Sequence, residues 1–185
     1  MGRFVEARAS PEQVHSGAVY WITGLPGVGK STLARTLSAR LGLARPVVRL
    51  DGDRLRPILG ARYSFGLADR RAMAMTYARL CHEFSSQGPD VVCATVSLVH
   101  EAQRWARGHI GDYREIYLRA EPDVLARRLP KGLIAAARAG RLRNVPGVDL
   151  PIEEPESPEV VIDDDGSCSA EEIAAMVVAR LWPAL

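Results

Sequence analysis

Short apolar runs alternate along the chain with longer segments in which apolar residues recur every three or four positions. The short runs are rich in β-branched and aromatic residues, which favour buried strands, whereas the longer segments favour helices with one apolar face. Asp69 is expected to cap the second helix, which the Gln-Gly-Pro run at 87–89 ends, and Gly42 is expected to end the first. Strands are predicted over 18–23, 47–50, 91–97, 113–118 and 160–162. Helices are predicted over 33–41, 69–86, 99–107, 121–128, 131–142 and 173–181.

Alternating strands and helices predict an α/β fold, a three-layer arrangement in which a mostly parallel sheet has helices on both faces. We expect one domain over residues 18–185, preceded by an N-terminal extension (1–17) that is too short to be a domain. Ligands of such sheets bind beyond the carboxyl ends of the strands. Gly24, after the first predicted strand, and the Asp-Gly-Asp turn at 51–53, after the second, both fall at that edge.

The charge balance argues against several classes of function. The 185 residues include 24 Lys and Arg against 22 Asp and Glu, a formal net charge of +2, which disfavours a dedicated nucleic-acid binder. With 47% apolar residues, the chain can form a packed core. The three cysteines lack disulfide-framework or zinc spacing, and no apolar run resembles a membrane span or a signal-peptide core. We therefore expect a cytoplasmic protein without a membrane anchor, whose anion site is local.

A glycine-rich motif joins the first predicted strand to the first helix. Residues 24–31 (Gly-Leu-Pro-Gly-Val-Gly-Lys-Ser) fit G-x-x-x-x-G-K-[ST] at every position, which predicts nucleoside triphosphate binding. Backbone N–H groups of such a loop point at phosphate oxygens, Lys30 is expected at the β- and γ-phosphates, and the Ser31 hydroxyl is expected on Mg²⁺. The alternative is a glycine-rich turn that only caps a helix. The predicted ATP-binding residues are Gly24, Leu25, Pro26, Gly27, Val28, Gly29, Lys30, Ser31 and Thr32.

Two missing motifs narrow the class of nucleotide-binding protein. The guanine-reading Asn-Lys-x-Asp is absent, because the one asparagine of the sequence, Asn144, precedes a valine, and no Leu-Ser-Gly-Gly-Gln transporter signature occurs. A compact kinase with a mobile cover fits best. The cover is predicted at the alanine- and arginine-rich segment 131–142, whose composition suits a moving element better than a core helix.

The remaining motifs resemble those of the adenylylsulfate (APS) kinase family and follow that family's order over residues 19–163. The resemblance implies a P-loop kinase that uses Mg²⁺ and transfers the γ-phosphate of ATP to the 3′-hydroxyl of APS, making PAPS. It also implies a homodimer, and a lid over about residues 128–147. The motifs are Trp-Ile-Thr-Gly-Leu at 21–25, the glycine motif, Leu-Asp-Gly-Asp-Arg-Leu-Arg at 50–56, the block 65–70, Lys-Gly-Leu at 131–133, Ala-Arg-Ala-Gly at 137–140 and Gly-Val-Asp at 147–149.

Two aspartates follow the second predicted strand. The period of two along a strand predicts that the side chains of Asp51 and Asp53 point to the same side, toward the triphosphate. A carboxylate there can orient an acceptor hydroxyl and take its proton, or hold water on Mg²⁺. The resemblance implies that Asp53 is the catalytic base and that Asp51 contacts the metal-bound water. The alternative is an Asp-Gly turn with a helix cap.

The resemblance also implies roles on the acceptor and lid sides. Arg56 and Arg70 correspond to arginines that grip the phosphosulfate of APS, a task that suits a planar donor fork; the alternative is a pair of solvated surface arginines. Phe65 corresponds to an aromatic side chain that stacks on the substrate adenine; the alternative is a core residue. The other implied contacts are Val96, Ser97, Arg138 and Val145 at the substrate, Arg128 at ATP, and Lys131 as a catalytic and substrate-binding lysine, or else a charge at a helix terminus.

The departures from the family pattern lie on the acceptor side. The chain has Met73 where the family usually has an asparagine, and Val145 where it has a second adenine-stacking phenylalanine. Losing one stacking face costs about 1–3 kcal/mol of base binding. The acceptor therefore stays open. APS comes first, a paralogue kinase for a sugar hydroxyl of another nucleotide, such as cytidine diphosphoramidate, is the alternative, and a nucleotide-binding protein without transfer activity is third.

Overall fold

The computed structural model describes residues 16–60, 66–129 and 133–181. Phe65 and Lys131, both predicted at the site, lie outside the described residues. The strands are β1 (Val19–Gly24), β2 (Val47–Asp51), β3 (Asp90–Thr95), β4 (Tyr113–Ala120) and β5 (Val160–Asp164). The helices are α1 (Lys30–Leu41), α2 (Gly52–Leu59), α3 (Leu67–Ser86), α4 (His100–His109), α5 (Pro122–Arg128), α6 (Leu133–Arg138) and α7 (Ala170–Leu181).

The five described strands form one parallel sheet in the order β2-β3-β1-β4-β5. Val19 of β1 pairs with Val91 of β3 on one side and with Tyr113 of β4 on the other. All six residues of β1 and of β3 are buried, because helices cover both faces of the sheet. The predicted α/β fold is therefore confirmed.

Alternate side chains of β1 enter two separate cores. Tyr20 and Ile22 pack in the core that contains Leu33 of α1 and Val177 of α7. Val19 and Trp21 pack in the other core, which contains residues of α3 such as Met73, Tyr77 and Cys81. This division places α1 and α7 on one face and α3 on the other, each with its apolar side against the sheet.

The site edge of the sheet differs from the prediction in one element, α2. Asp51 ends β2 and caps α2, whose first turn contains Asp53, so the two aspartates do not continue one strand. The prediction that both aspartates continue one strand is therefore wrong, although both residues still lie at the carboxyl edge of the sheet. Asp51 also caps the helix, since the Asp51 carboxylate accepts a hydrogen bond from the Asp53 backbone N–H.

Smaller differences concern where elements begin and end. Gly66 is the N-cap of α3, so the predicted cap Asp69 lies in the first turn instead. β3 ends at Thr95, two residues before Ser97, which places Ser97 in the following connection. In the part of the chain that the structure describes, no helix combines the length and the apolarity needed to cross a membrane.

Candidate active site

The glycine motif forms a loop between β1 and α1 at the carboxyl edge of the sheet. Gly29 caps α1 with φ 95°, a left-handed conformation that favours glycine, so the next residue, Lys30, begins the helix. The amino end of α1 therefore opens onto the loop. Backbone N–H groups at such an end, together with the helix dipole, form an anion site.

Lys30 is a buried cation at the base of this loop. Lys30 is only 8% exposed, and its Nζ donates a hydrogen bond to the carbonyl oxygen of Leu25 over 2.7 Å. Burial lowers its pKa to about 8, although the carboxylates of Asp53 and Asp51 act in the opposite direction. An anionic ligand in the loop would favour the charged form.

Two cavities adjoin the phosphate loop, and the larger one, of about 550 Å³, is lined in part by Lys30. Its walls come from the phosphate loop, the start of α2, one face of α3, the connection after β3, and a segment near residue 150. Among its lining residues are Pro26, Gly27, Gly29, Lys30, Ser31, Thr32, Asp51, Asp53, Arg56, Arg70, Val96 and Ser97. The structure thus brings together most of the residues predicted for the triphosphate and the acceptor.

Asp51 and Asp53 face this cavity from the junction of β2 and α2. The backbone N–H of Asp53 donates a hydrogen bond to Asp51 Oδ1 over 3.0 Å. That bond uses one oxygen of Asp51 and only the backbone of Asp53. Both carboxylates act electrostatically on Lys30, which places a cation and two anions around the cavity.

Two guanidinium groups line the same cavity from neighbouring helices. Arg56 is in α2 and Arg70 is in α3, where Arg70 Nη2 donates to the carbonyl oxygen of Asn144 over 2.8 Å. Partial burial, reinforced by the positive charge of Arg56, lowers the pKa of Arg70, while Asp149 raises it. Two positive charges that line one cavity and act on each other favour an anionic ligand beside them.

Ser97 lies in the connection that follows the central strands. It is 6% exposed, and its hydroxyl oxygen is 2.8 Å from that of Thr95. Gly52 packs against Thr95, since a Cβ at Gly52 would lie 3.2 Å from the Thr95 hydroxyl oxygen. The connection after β3 and the start of α2 therefore contact each other at the cavity wall.

A smaller cavity, of about 290 Å³, lies on the other side of the phosphate loop. Val28 lines it together with Arg128, Asp164 and Cys168. Arg128 Nη1 donates to Asp164 Oδ2 over 2.5 Å, and the Asp164 side chain is only 2% exposed. The run of three aspartates at 163–165 favours a solvated turn, so this buried ion pair is missed by sequence analysis.

Other predicted site residues do not line either cavity among the described residues. Val145 is buried, and its backbone N–H donates to Asp149 Oδ1 over 2.5 Å, whereas the next residue, Pro146, faces the larger cavity. Arg138 ends α6 and is exposed. Gly24 and Leu25 are set back from the cavities, with Leu25 contributing its carbonyl oxygen to Lys30.

Several lining residues lack a recognisable sequence signal. Met73 and Tyr77 follow Arg70 on one face of α3 and line the larger cavity, although their spacing favours a purely apolar core face. The segment 143–159 adds a wall because Glu153 accepts hydrogen bonds from the His100 backbone N–H and from Arg71. Such contacts depend on the tertiary fold. The wall residues found only in the structure include Tyr77, Leu98, Val99, Leu129, Pro146, Leu150, Pro151 and Ile152.

A parallel sheet with a phosphate loop after its central strand, β1, and a carboxylate pair after its edge strand, β2, defines a P-loop kinase. The family model for adenylylsulphate kinase matches residues 16–163. The chain therefore belongs to the adenylylsulphate kinase family, and it is a phosphotransferase.

Individual relatives include kinases with two different names. An adenylyl-sulfate kinase of Bacillus velezensis is 35% identical over 167 residues, covering 89% of this chain and 84% of the relative. A cytidine diphosphoramidate kinase of Campylobacter jejuni is 33% identical over 164 residues, covering 88% and 95%. The APS kinase of Mycobacterium tuberculosis, solved in complex with AMPPNP and APS, superposes with a TM-score of 0.80 at 30% identity, covering 90% of this chain and 98% of that one.

Proposed function

We propose that the protein transfers the γ-phosphoryl group of ATP to the 3′-hydroxyl of APS, which gives PAPS and ADP. The observation that carries the proposal is a single cavity at which Lys30, the Asp51–Asp53 junction, and the Arg56 and Arg70 guanidinium groups meet, in a chain of this family. The three groups suit, in that order, the donor phosphates, the reacting hydroxyl, and the anionic part of the acceptor.

The donor phosphates bind in the glycine loop. Backbone N–H groups at the start of α1 donate hydrogen bonds to the β-phosphate oxygens, and the Lys30 ammonium binds between the β- and γ-phosphates. Because Lys30 is already held inside the loop by Leu25, its side chain loses little conformational freedom when ATP binds. Its charge then stabilises the negative charge that develops on the transferred group.

The same cavity suits Mg²⁺. The described residues contain no group of three or more His, Cys, Asp or Glu side chains arranged for a metal. Mg²⁺ keeps several waters and binds substrate phosphates, and here the Ser31 hydroxyl would hold the ion while the Asp51 carboxylate would hold one of its waters. When bound, the ion neutralises phosphate charge.

The acceptor hydroxyl binds at Asp53. Its oxygen forms the new bond to the γ-phosphorus as the bond from that phosphorus to the β,γ-bridging oxygen breaks, and ADP leaves. The hydroxyl proton passes to the Asp53 carboxylate, whose side-chain oxygens are not used by the cap at Asp51. Arg56 and Arg70 bind the phosphosulfate and fix the sugar relative to this carboxylate.

The adenine of ATP occupies the smaller cavity, beside Arg128. The buried Asp164 carboxylate holds the Arg128 guanidinium at the cavity edge, where its flat face can stack on a base. In the proposal, Lys131 and Arg138 belong to a lid over about residues 128–147 that closes when both nucleotides are bound, and Phe65 stacks on the acceptor adenine.

A second acceptor is favoured by the residues that line the cavity besides the arginines. Met73 and Pro146 are among them, and the Campylobacter jejuni relative, which covers most of this chain, is a cytidine diphosphoramidate kinase. A smaller pyrimidine nucleotide needs fewer stacking contacts than adenine does. In this second proposal the donor chemistry is unchanged, and only the acceptor differs.

A direct comparison of acceptors tests the two proposals. Purified protein with Mg²⁺-ATP is given APS, cytidine diphosphoramidate or a panel of simple nucleotides, and kcat/KM is measured from ADP release with product masses. We expect the highest value for APS. A higher kcat/KM for cytidine diphosphoramidate would mean that this nucleotide, and not APS, is the acceptor. ATP binding without phosphoryl transfer to any tested acceptor would exclude both proposals. The homodimer, the domain limits and the cytoplasmic location stay predictions.

A further inference from the structure

Tyr77 connects α3 to the junction that carries the two aspartates. Its hydroxyl donates a hydrogen bond to the carbonyl oxygen of Gly52, over 3.1 Å, and Gly52 is the residue between Asp51 and Asp53. The residue is 3% exposed, and it also lines the larger cavity. Burial raises the pKa of Tyr77 to about 12, so the hydroxyl keeps its proton and remains a donor at neutral pH.

The start of α2 depends on such contacts because the helix is weak by itself. It has eight residues, all within the described part of the chain, and none of them is fully buried. Pro57 inside the helix removes one backbone donor. Helices this short are marginal without tertiary contacts. The bond between Asp51 and the Asp53 N–H caps the first turn, but it lies within the junction and cannot fix the junction to the rest of the fold.

The Tyr77 bond does fix the junction to the fold, because α3 is a long helix packed in the core. The ring of Tyr77 lies in the cluster that contains Trp21 and Met73, so its hydroxyl has a well-defined position. Asp53 follows Gly52 directly, and both aspartates act electrostatically on Lys30. A shift of the junction would therefore change the position of the Asp53 carboxylate relative to the phosphate loop.

We propose that Tyr77 is a positioning residue for phosphoryl transfer, which holds Asp53 in place through its hydrogen bond to the Gly52 carbonyl. The proposal rests on the proposed function of the same cavity. Tyr77 does not exchange a proton with the substrate in this role. Its effect on the rate passes through Asp53, and a displacement of about 1 Å at such a group is enough to lower a rate by up to about a hundredfold.

The variant Tyr77→Phe removes the hydroxyl and keeps the ring in the core. Tyr113→Phe is the matched control, because the Tyr113 hydroxyl is buried without a hydrogen-bond partner among the described residues, and Tyr113 lines neither cavity. In the protein without ligands, we expect amide hydrogen exchange over 52–59 to be about tenfold faster in Tyr77→Phe. Exchange in α1 is expected to be unchanged, and Tyr113→Phe is expected to match the parent protein over both segments.

Turnover is measured with whichever acceptor the parent protein phosphorylates, or with water as the acceptor. In Tyr77→Phe we expect kcat to fall about tenfold while the KM for ATP stays within about twofold. The same change made in an Asp53→Ala background is expected to lower kcat by less than about twofold, because the group that Tyr77 positions is already gone.

Unchanged exchange over 52–59, an unchanged kcat, or a full tenfold loss in the Asp53→Ala background would each overturn the role of Tyr77. A higher KM for the acceptor with an unchanged kcat would also overturn it, since Tyr77 would then be a substrate contact. If the parent protein phosphorylates no nucleotide, the proposed function fails. The exchange measurement and ATP hydrolysis with water as the acceptor still decide the role of Tyr77.

Discussion

The ammonium group of Lys30 donates a hydrogen bond to the carbonyl oxygen of Leu25, five residues earlier in the same loop. The phosphate loop thus surrounds its own cation. The bond compensates part of the cost of burying a positive charge, but burial still lowers the pKa of Lys30 to about 8. The charge that binds ATP is therefore sensitive to pH in the free enzyme.

This relationship predicts an alkaline limit for ATP capture. Since the pKa of Lys30 is lowered, the neutral amine becomes the main form above about pH 8 instead of near its ordinary value of 10.5. We expect kcat/KM for ATP to decline above about pH 8, because this ratio reports the free enzyme. The kcat at saturating ATP is expected to decline only at higher pH, since bound phosphates favour the charged amine. Parallel pH profiles for the two parameters would contradict the assignment to Lys30.

Two adjacent arginines of α3 are expected to differ in their effect on acceptor binding when each is replaced by alanine. Arg70 is half-buried and lines the larger cavity, whereas Arg71 is largely exposed and pairs with Glu153. We expect Arg70→Ala to raise the KM for the acceptor about tenfold to a hundredfold, the value of a lost charged hydrogen bond, and to leave the KM for ATP unchanged. Arg71→Ala is the control, with both constants near those of the parent, because its exposed ion pair with Glu153 is weak and the His100 backbone N–H still holds Glu153. Equal effects of the two variants in steady-state kinetics would mean that Arg70 does not bind the acceptor.

Neighbouring aspartates at the end of β5 give a second matched pair. Asp164 is buried in its ion pair with Arg128, but Asp163 makes an exposed ion pair with Arg119. We expect Asp164→Asn to lower the free energy of unfolding by about 2 kcal/mol and to raise the KM for ATP several-fold, because Arg128 loses its anchor. Asp163→Asn is expected to change neither quantity. Denaturant unfolding and ATP titrations decide between this result and one in which the two variants behave alike.

Cys168 offers a probe of where the ATP base binds. Its thiol is exposed and lines the smaller cavity, while Cys81 and Cys93 are buried in the core. We expect iodoacetamide to alkylate Cys168 first, and a non-hydrolysable ATP analogue to slow that reaction several-fold, as measured by peptide mass spectrometry. APS alone is expected to give little protection. Alkylation at the same rate with and without the analogue would place the base elsewhere.

The sequence predicts the framework well because its signals are local. The apolar runs locate all five described strands, and the spacing of Leu33 and Leu37 correctly places α1 against the sheet. The glycine motif defines its own loop, since each position has a backbone or phosphate role. In these parts of the molecule, the local structure is determined by residues that are close together in the sequence.

The acceptor side is less predictable because it is assembled from distant segments. α2 was missed, since its eight residues include Pro57 and contribute no fully buried side chain among the described residues. Tyr77 fits an apolar helix face, and only the fold brings its hydroxyl to Gly52, 25 positions away. Val145 was expected at the substrate by its place in a motif, but the backbone turns so that Pro146 lines the cavity.

The position of the transferred phosphate on the product tests the proposed reaction. The protein is incubated with Mg²⁺, γ-labelled ATP and APS, and the product is analysed by tandem mass spectrometry. We expect labelled PAPS carrying the phosphate on the 3′-hydroxyl. Its rate of formation is expected to fall strongly in Lys30→Ala and Asp53→Ala and to be retained in Arg35→Ala, whose exposed side chain lies outside both cavities. Label found only in inorganic phosphate, or only on a different nucleotide, would contradict the proposed reaction.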